Sequence, residues 1–242
     1  MPSPTNSSGA MRRFYRRATA EAATGGGFAV ALDGKPLRTP AKAPLTLPSR
    51  ALAQAIAAEW NAQGEKIART SLPLTGLANA AVDLVAPRRA AIVADLAKYA
   101  ETELLCYRAD QPPALVERQQ RLWQPLLDWA ALRFDAPLRV SVGVLPLAQP
   151  PASLAALAAA IDAHDVPALT ALDLAVRASG SLILGLALSE SHIDAETTFA
   201  AAQLEESFEI ERWGVDEEQA QRRAALSADI ALAERFWTLL RG

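Results

Sequence analysis

The pattern of hydrophobic and polar positions changes about a third of the way along the chain. Phe28–Leu32 is a short apolar run that predicts a strand. Asp33-Gly34 after it predicts a tight turn, because glycine accepts the positive φ that hairpins need. Pro36–Thr39 would continue as a second strand at a sheet edge, since proline donates no hydrogen bond to a ladder. Leu45–Leu47 would add a third strand, so the first part of the chain is predicted to be β-rich.

Helical spacing begins at Ser49, which is a candidate N-cap. Leu52, Ile56 and Trp60 then recur at every fourth position, which gives a helix with one apolar face. From Gly76 onward the pattern predicts helices almost throughout, with one extended segment at 138–147. The predicted helices are 76–85, 87–106, 113–134, 151–164, 166–188, 194–213 and 216–240.

The change of pattern predicts a domain boundary near residue 86. The expected order is a disordered tail at 1–11, a β-rich N-terminal domain at 12–86 and a larger, mainly helical C-terminal domain at 87–242. The predicted fold class is therefore α+β.

Composition narrows the class of protein. The chain has 242 residues, of which 51% are hydrophobic and 21% charged, and this balance is globular. The net charge is −3 with no basic stripe, which argues against a nucleic-acid partner. The longest apolar run, 181–189, is well short of the roughly 20 residues that a membrane span needs. The N-terminus has no apolar core of a secretory signal, and the one cysteine fits a reducing compartment.

A search for catalytic and metal-binding motifs gives no match. The chain has no Walker motif, no nucleophile elbow and no dinucleotide-binding fingerprint. Two histidines and one cysteine give little basis for a zinc site, so neither a metal nor a cofactor is predicted. Cys106 lies among apolar residues, which predicts a buried core thiol rather than a reactive one.

The most unusual segment is Leu204–Gly214, with the sequence LEESFEIERWG. On a helix, Ile210 and Trp213 share one side with Phe199, and Leu204 and Phe208 lie on the opposite side. A helix that is apolar on two sides is usually interior, so this one is predicted to pack between other helices.

Glu206 would then lie among apolar groups, where an unpaired carboxylate is costly. One interpretation is an internal ion pair with Arg177 or another arginine. The other is that one or more acids of the segment lie at an edge or cleft and contact a client or ligand. A general acid/base pair is the weakest reading, because no second catalytic group is visible nearby.

Several segments in the same order resemble the family of F1-ATPase assembly chaperones that act on the alpha subunit. The resemblance spans about residues 12 to 218, and its segments are RFY at 13–15, LDGKPLRTP at 32–40, AEW at 58–60, YAETELLCYR at 99–108, SLILGLAL at 181–188 and LEE-x-F-x-x-E-x-W-G at 204–214.

The resemblance implies a small β-rich N-terminal domain and a larger helical one, with no catalysis and no cofactor. It implies that the chain binds the unassembled alpha subunit of ATP synthase F1 and prevents its aggregation until the beta subunit joins. It also implies functional roles for acids of the last segment, which here are Glu205, Glu206 and Glu211, and Phe208 and Trp213 beside them are further candidates for client binding. A monomer in the bacterial cytoplasm is expected, or in the mitochondrial matrix if the source is eukaryotic, with no nucleic-acid partner and no stable membrane insertion.

Two alternatives remain open at the level of sequence. A hydrolase or transferase could use Glu205, Glu206 and Glu211 in an interdomain cleft, which predicts a carboxylate with a strongly raised pKa beside an open pocket. A scaffolding module would have no client-specific role and no large exposed apolar patch.

Overall fold

The structure is a computed structural model that describes residues 11–143 and 147–242. Residues 1–10 of the predicted tail lie outside the described residues, and Met11 belongs to the first strand. The chain divides into two compact units, one formed by residues up to Leu84 with Leu239–Gly242, and the other by Val85–Thr238. The predicted boundary near residue 86 lies close to this division. Strands in the first unit and mainly helices in the second confirm the α+β class.

The first unit contains a small antiparallel sheet and a separate strand pair. The sheet has the order β2-β3-β4, and β1 pairs with β5. The strands are β1 Met11–Arg12, β2 Ala18–Ala22, β3 Phe28–Leu32, β4 Lys35–Pro36 and β5 Lys66–Ile67.

The sequence prediction of this sheet was partly wrong. Strand β3 has the predicted bounds, and the predicted second strand is the edge strand β4, although it is only two residues long. Leu45–Leu47 is not a strand, because only Leu47 forms an isolated bridge, to Phe28. Strand β2 was not predicted, because its sequence ATAEA has no large apolar residue to mark it.

Two helices complete the first unit. Helix α1, Arg50–Asn61, begins after the predicted N-cap, since the Ser49 hydroxyl accepts from the Leu52 amide. Helix α2, Pro73–Ala80, starts earlier than predicted and continues as one π-helical turn, Ala81–Val85. It begins with proline at its first position, where the missing N–H costs nothing.

The remaining helices follow in chain order. They are α3 Arg89–Glu101, α4 Pro113–Phe134, α5 Pro151–Asp162, α6 Val166–Ser179, α7 Leu182–Ser189, α8 Ala195–Ala202, α9 Leu204–Trp213 and α10 Glu217–Arg241. Two short parallel strands, β6 Tyr107–Arg108 and β7 Ser141–Val142, pair with each other. Strand β7 lies in the extended segment predicted at 138–147, of which residues 144–146 are outside the described residues.

Two predicted long helices are each two helices, which corrects the sequence prediction. The helix expected at 166–188 is interrupted by Gly180, whose φ of 71° ends α6 in the left-handed region. Ser181 then caps the start of α7. The helix expected at 194–213 is interrupted at Gln203, which leaves helical geometry between α8 and α9. The helix expected at 87–106 ends at Glu101 and is followed by a 3₁₀ turn, Leu104–Cys106.

Helix α7 lies at the centre of the second unit, and each of its residues is buried. Its N-terminus is closed by the fully buried carboxylate of Glu103, which accepts hydrogen bonds from the Ser181 hydroxyl and from the backbone amides of Leu182 at 3.0 Å and Ile183 at 3.3 Å. Burial raises the pKa of Glu103 to about 7, although these hydrogen bonds oppose the rise. Among the described residues, no helix is both long enough and apolar enough to cross a membrane.

Candidate functional site

Helix α9 presents a buried side and an exposed side. Leu204 and Phe208 are buried, whereas the Trp213 side chain at the end of the helix is 85% exposed. The prediction that this helix is interior with two apolar sides was therefore wrong. The helix ends at Gly214, whose φ of 83° is a conformation that glycine adopts without steric cost. Val215 beyond it is also exposed.

Phe208 is held between two cationic side chains. The guanidinium groups of Arg118 and Arg212 lie 5.1 Å and 4.3 Å from its ring centre. Such cation–π contacts stabilise a ring where it is packed, and Phe208 is buried. Its position is that of a packing residue rather than a surface anchor.

Glu206 forms an ion-pair network with α10. Its carboxylate accepts hydrogen bonds from Gln219 at 2.7 Å and from Arg222, and it lies 3.4 Å from Arg223. The predicted arginine partner is thus present, but Arg177 is not that partner, since Arg177 pairs with Asp173 one helical turn earlier in α6. Burial alone would raise the pKa of Glu206, but the hydrogen bonds and the two arginine charges lower it overall.

Glu211 is engaged by α4. Its two carboxylate oxygens accept from Nη1 and Nη2 of Arg118 at 2.6 Å and 2.7 Å, which is the fork-to-fork geometry of a bidentate pair. The hydrogen bond from Arg118 lowers the pKa of Glu211. The side chains of Arg118 and Glu211 are 36% and 54% exposed, so solvent screens the pair and it adds little to the free energy of unfolding.

Glu205 differs from the other two acids. Its Oε1 accepts one hydrogen bond, from Nε2 of Gln119 at 2.6 Å, and no described lysine or arginine lies within ion-pair distance. Gln119 is fully buried, and its Oε1 in turn accepts from the backbone amide of Ala109 at 2.9 Å. Partial burial raises the pKa of Glu205, the Gln119 hydrogen bond opposes this, and the charge of Glu209 adds to the rise.

Glu205 also lines a cavity of about 440 Å³ in the second unit. The walls come from the stretch 102–110, which includes the 3₁₀ turn and strand β6, and from three more distant parts of the chain. They are Thr102, Leu104, Tyr107, Arg108, Ala109, Asp110, Gly143, Gly180 and Glu205.

The three predicted acids do not converge on one point. Glu205 and Glu211 bind neighbouring residues of α4, Gln119 and Arg118, whereas Glu206 binds α10. Among the described residues, no group of three or more histidine, cysteine or acidic side chains could hold a metal ion. Cys106 is buried, as predicted, and burial raises the pKa of its thiol to about 12.

Sequence reasoning missed Gln119 and Ala109 as parts of this site. One signal was present: Gln119 occupies the same helical row as Trp123 and Leu126, which are buried, so its polar side chain needed a partner. The segments that meet around the cavity are far apart in the chain, and no local pattern brings them together.

These features define a class of two-unit α+β proteins. The first unit has a small antiparallel sheet, the second is built around a buried helix, and its acidic segment ends in an exposed tryptophan. A family model described as ATP12 chaperone protein matches residues 12–131. The crystal structure of Atp12 from Paracoccus denitrificans is 48% identical, with a TM-score of 0.92, over 96% of this chain and 99% of that one. The Atu1473 protein, a candidate chaperone from Agrobacterium tumefaciens, is 40% identical, with a TM-score of 0.90, over 95% of this chain and 86% of that one. The chain belongs to the ATP12 chaperone family.

Proposed function

We propose that this protein binds the unassembled alpha subunit of ATP synthase F1 and prevents its aggregation until the beta subunit joins. The observation that carries the proposal is membership of the ATP12 chaperone family, supported over nearly the whole chain by the likeness to the Paracoccus protein. A subunit without its partners exposes apolar interface surface, which is an aggregation hazard that a chaperone can cover.

Helix α9 offers the contact surface that fits this role best. Trp213 is 85% exposed and Val215 is 51% exposed, and an exposed tryptophan beside a second apolar residue is typical of an interface anchor. Glu205 adds an acid that no arginine neutralises. Phe208, Glu206 and Glu211 would serve the same function indirectly, because their partners on α4 and α10 hold the helix in place.

A non-catalytic role fits this arrangement better than the hydrolase or transferase alternative. This alternative requires a carboxylate with a strongly raised pKa beside an open pocket, and burial does raise the pKa of Glu205 beside a cavity. Its two proposed partners, Glu206 and Glu211, instead accept from arginines and have lowered pKa values. The protein is proposed to act without a cofactor, as a monomer, in the bacterial cytoplasm or the mitochondrial matrix.

Complex formation tests this function directly. Size-exclusion chromatography with light scattering should show a one-to-one complex of this protein with purified alpha subunit, and added beta subunit should displace it. Trp213→Ala should weaken the complex by about thirtyfold, since truncating a hot-spot tryptophan commonly costs about 2 kcal/mol of binding free energy. Leu132→Ala, which removes another exposed apolar side chain from α4, is the matched control. The proposal fails if wild-type protein and alpha subunit elute separately at micromolar concentrations.

A further inference from the structure

The cavity beside Glu205 has the size and lining of a small binding site. Its volume of about 440 Å³ falls within the range of roughly 300–1,000 Å³ that is usual for ligand pockets. Leu104 and Tyr107 supply apolar wall, while Asp110 and Glu205 supply carboxylates. Apolar walls with acidic groups suit a long aliphatic stem that ends in a positive charge.

The acids that line the cavity have no cationic partner among residues 11–143 and 147–242. A carboxylate can accept about four hydrogen bonds, and Glu205 accepts one, from Gln119. Asp110 makes no hydrogen bond and no ion pair within the part of the chain that the structure describes. Glu206 and Glu211, on the same helix as Glu205, each bind an arginine. Of the four acids of α9, Glu205 is the one that lines the cavity.

Arg108 is the cationic residue in the cavity wall, but its guanidinium contacts groups other than Glu205 and Asp110. Its Nε donates to the Leu105 carbonyl at 2.8 Å, and its Nη2 lies 3.4 Å from Oε1 of Gln124. Its guanidinium also lies over the Trp123 ring, 5.5 Å from the ring centre. Arg108 is buried in this arrangement, so it supports the wall without pairing with Glu205.

The walls are held in place by hydrogen bonds that involve no ligand. The Gly143 amide donates to the Arg108 carbonyl at 2.9 Å, which fixes β7 beside β6. The Ala109 amide donates to Gln119, the residue that also orients Glu205. A preformed site loses less conformational entropy when it binds.

We propose that this cavity receives an arginine or lysine side chain of the client polypeptide, with the Glu205 carboxylate as its main counter-charge and Asp110 at the rim. The inference rests on the proposed function for the identity of the polypeptide, but not for the chemistry of the site. The cation would supply the ionic partner that the Glu205 carboxylate lacks among the described residues, and the site would select a basic side chain over a neutral one of similar length.

A peptide titration tests the chemistry without the client. Nuclear magnetic resonance spectra of the isotope-labelled protein are recorded with acetyl-Gly-Arg-Gly-amide, its lysine counterpart and acetyl-Gly-Gln-Gly-amide. The basic peptides should shift the amide signals of Ala109, Gly143 and Gly180, and the glutamine peptide should not. Equal shifts with the glutamine peptide, or shifts confined to other regions, overturn the proposal.

Two variants separate charge from shape. Glu205→Gln keeps the hydrogen-bonding size of the side chain but removes its charge, so it should weaken binding of the arginine peptide by about tenfold. Ala109→Phe should block the cavity while Glu205 stays intact, and it should abolish the same shifts. Glu65→Gln, which removes an exposed charge from the first unit, is the matched control and should bind as the wild type does. Unchanged peptide affinity in a folded Glu205→Gln variant would contradict the proposal.

The same variants distinguish failure of this inference from failure of the proposed function. If wild-type protein and Glu205→Gln retain the alpha subunit equally, the cavity is not the docking point, although the function stands. If the wild type retains no alpha subunit while the arginine peptide still binds at Glu205, the proposed function fails and the basic-side-chain site stands. Retention that weakens in Glu205→Gln and falls with added salt supports both.

Discussion

Single residues show how this chain places acidic groups where backbone amides need acceptors. Glu103 is fully buried, and besides the Ser181 hydroxyl it accepts from the amides that begin α7 and, at 3.3 Å, from the Leu105 amide. Since the first amides of a helix have no partner within it, the carboxylate replaces water that cannot reach this point. Because it lies in the interior, its protonation state affects folding.

The pH dependence of stability should reveal this residue. Burial raises the pKa of Glu103 to about 7 from the ordinary glutamate value of 4.5, so the native state holds the proton more tightly than the unfolded chain does. This contribution to stability is complete below the unfolded pKa and is lost as the pH rises through about 7. The free energy of unfolding of the wild type, minus that of Glu103→Gln, should therefore be larger at pH 5 than at pH 8 by about 2 kcal/mol.

Urea denaturation at the two pH values measures this difference. Glu101→Gln, at an exposed position two residues earlier, should change the unfolding free energy by less than about 0.5 kcal/mol. A wild-type advantage that stays constant or grows from pH 5 to pH 8 would contradict the assignment of a raised pKa to Glu103.

At the scale of elements, α6 and α7 pack so closely that only glycine fits at one position. A Cβ atom added to Gly185 of α7 would lie 2.5 Å from Cγ2 of Val176 and 3.3 Å from Cδ1 of Leu172 in α6. Valine is stiff at χ1, so the neighbour cannot move aside without distorting the helix pair. The glycine in SLILGLAL is thus explained by helix packing rather than by function.

Gly185→Ala should therefore destabilise the protein by about 1–3 kcal/mol, in spite of the higher helix propensity of alanine. The control is Gly76→Ala in α2, where an added Cβ would meet nothing within 4 Å. That substitution should stabilise the protein by about 0.5–1 kcal/mol. Thermal unfolding measures the stability of both variants. A Gly185→Ala variant more stable than the wild type would contradict the close packing of Gly185 against Val176.

The sequence predicted those elements whose start and stop signals are local. Helix α4 has its predicted bounds, because Pro113 begins it and the left-handed Asp135 follows its end. The separation of α6 from α7 was missed although Gly180 and Ser181 are local stop and start signals, because a continuous apolar pattern runs across them. The acid that completes the closure of α7 is Glu103, which lies far away in the chain. The cavity could not be predicted for the same reason, since its walls come from four separate stretches of sequence.

For the whole molecule, the segments that carry the family resemblance divide into structural and exposed ones. Three acids in those segments close backbone turns: Asp33 accepts from two amides at 2.9 Å, Glu59 accepts from two amides at the start of α2, and Glu103 does so at α7. These hydrogen bonds join parts of the same protein, so the acids in these segments stabilise the fold. The segment 204–214 is different, because it ends in an exposed tryptophan and contains an acid without an arginine partner.

An aggregation assay with the proposed client, the alpha subunit, measures the chaperone activity itself. Purified ATP synthase alpha subunit is diluted from denaturant, and light scattering is followed with and without this protein, with serum albumin as the control for crowding. This protein should suppress the scattering near an equimolar ratio, and albumin should have no such effect. Aggregation that proceeds equally with this protein and with albumin would contradict the assignment of the alpha subunit as its client.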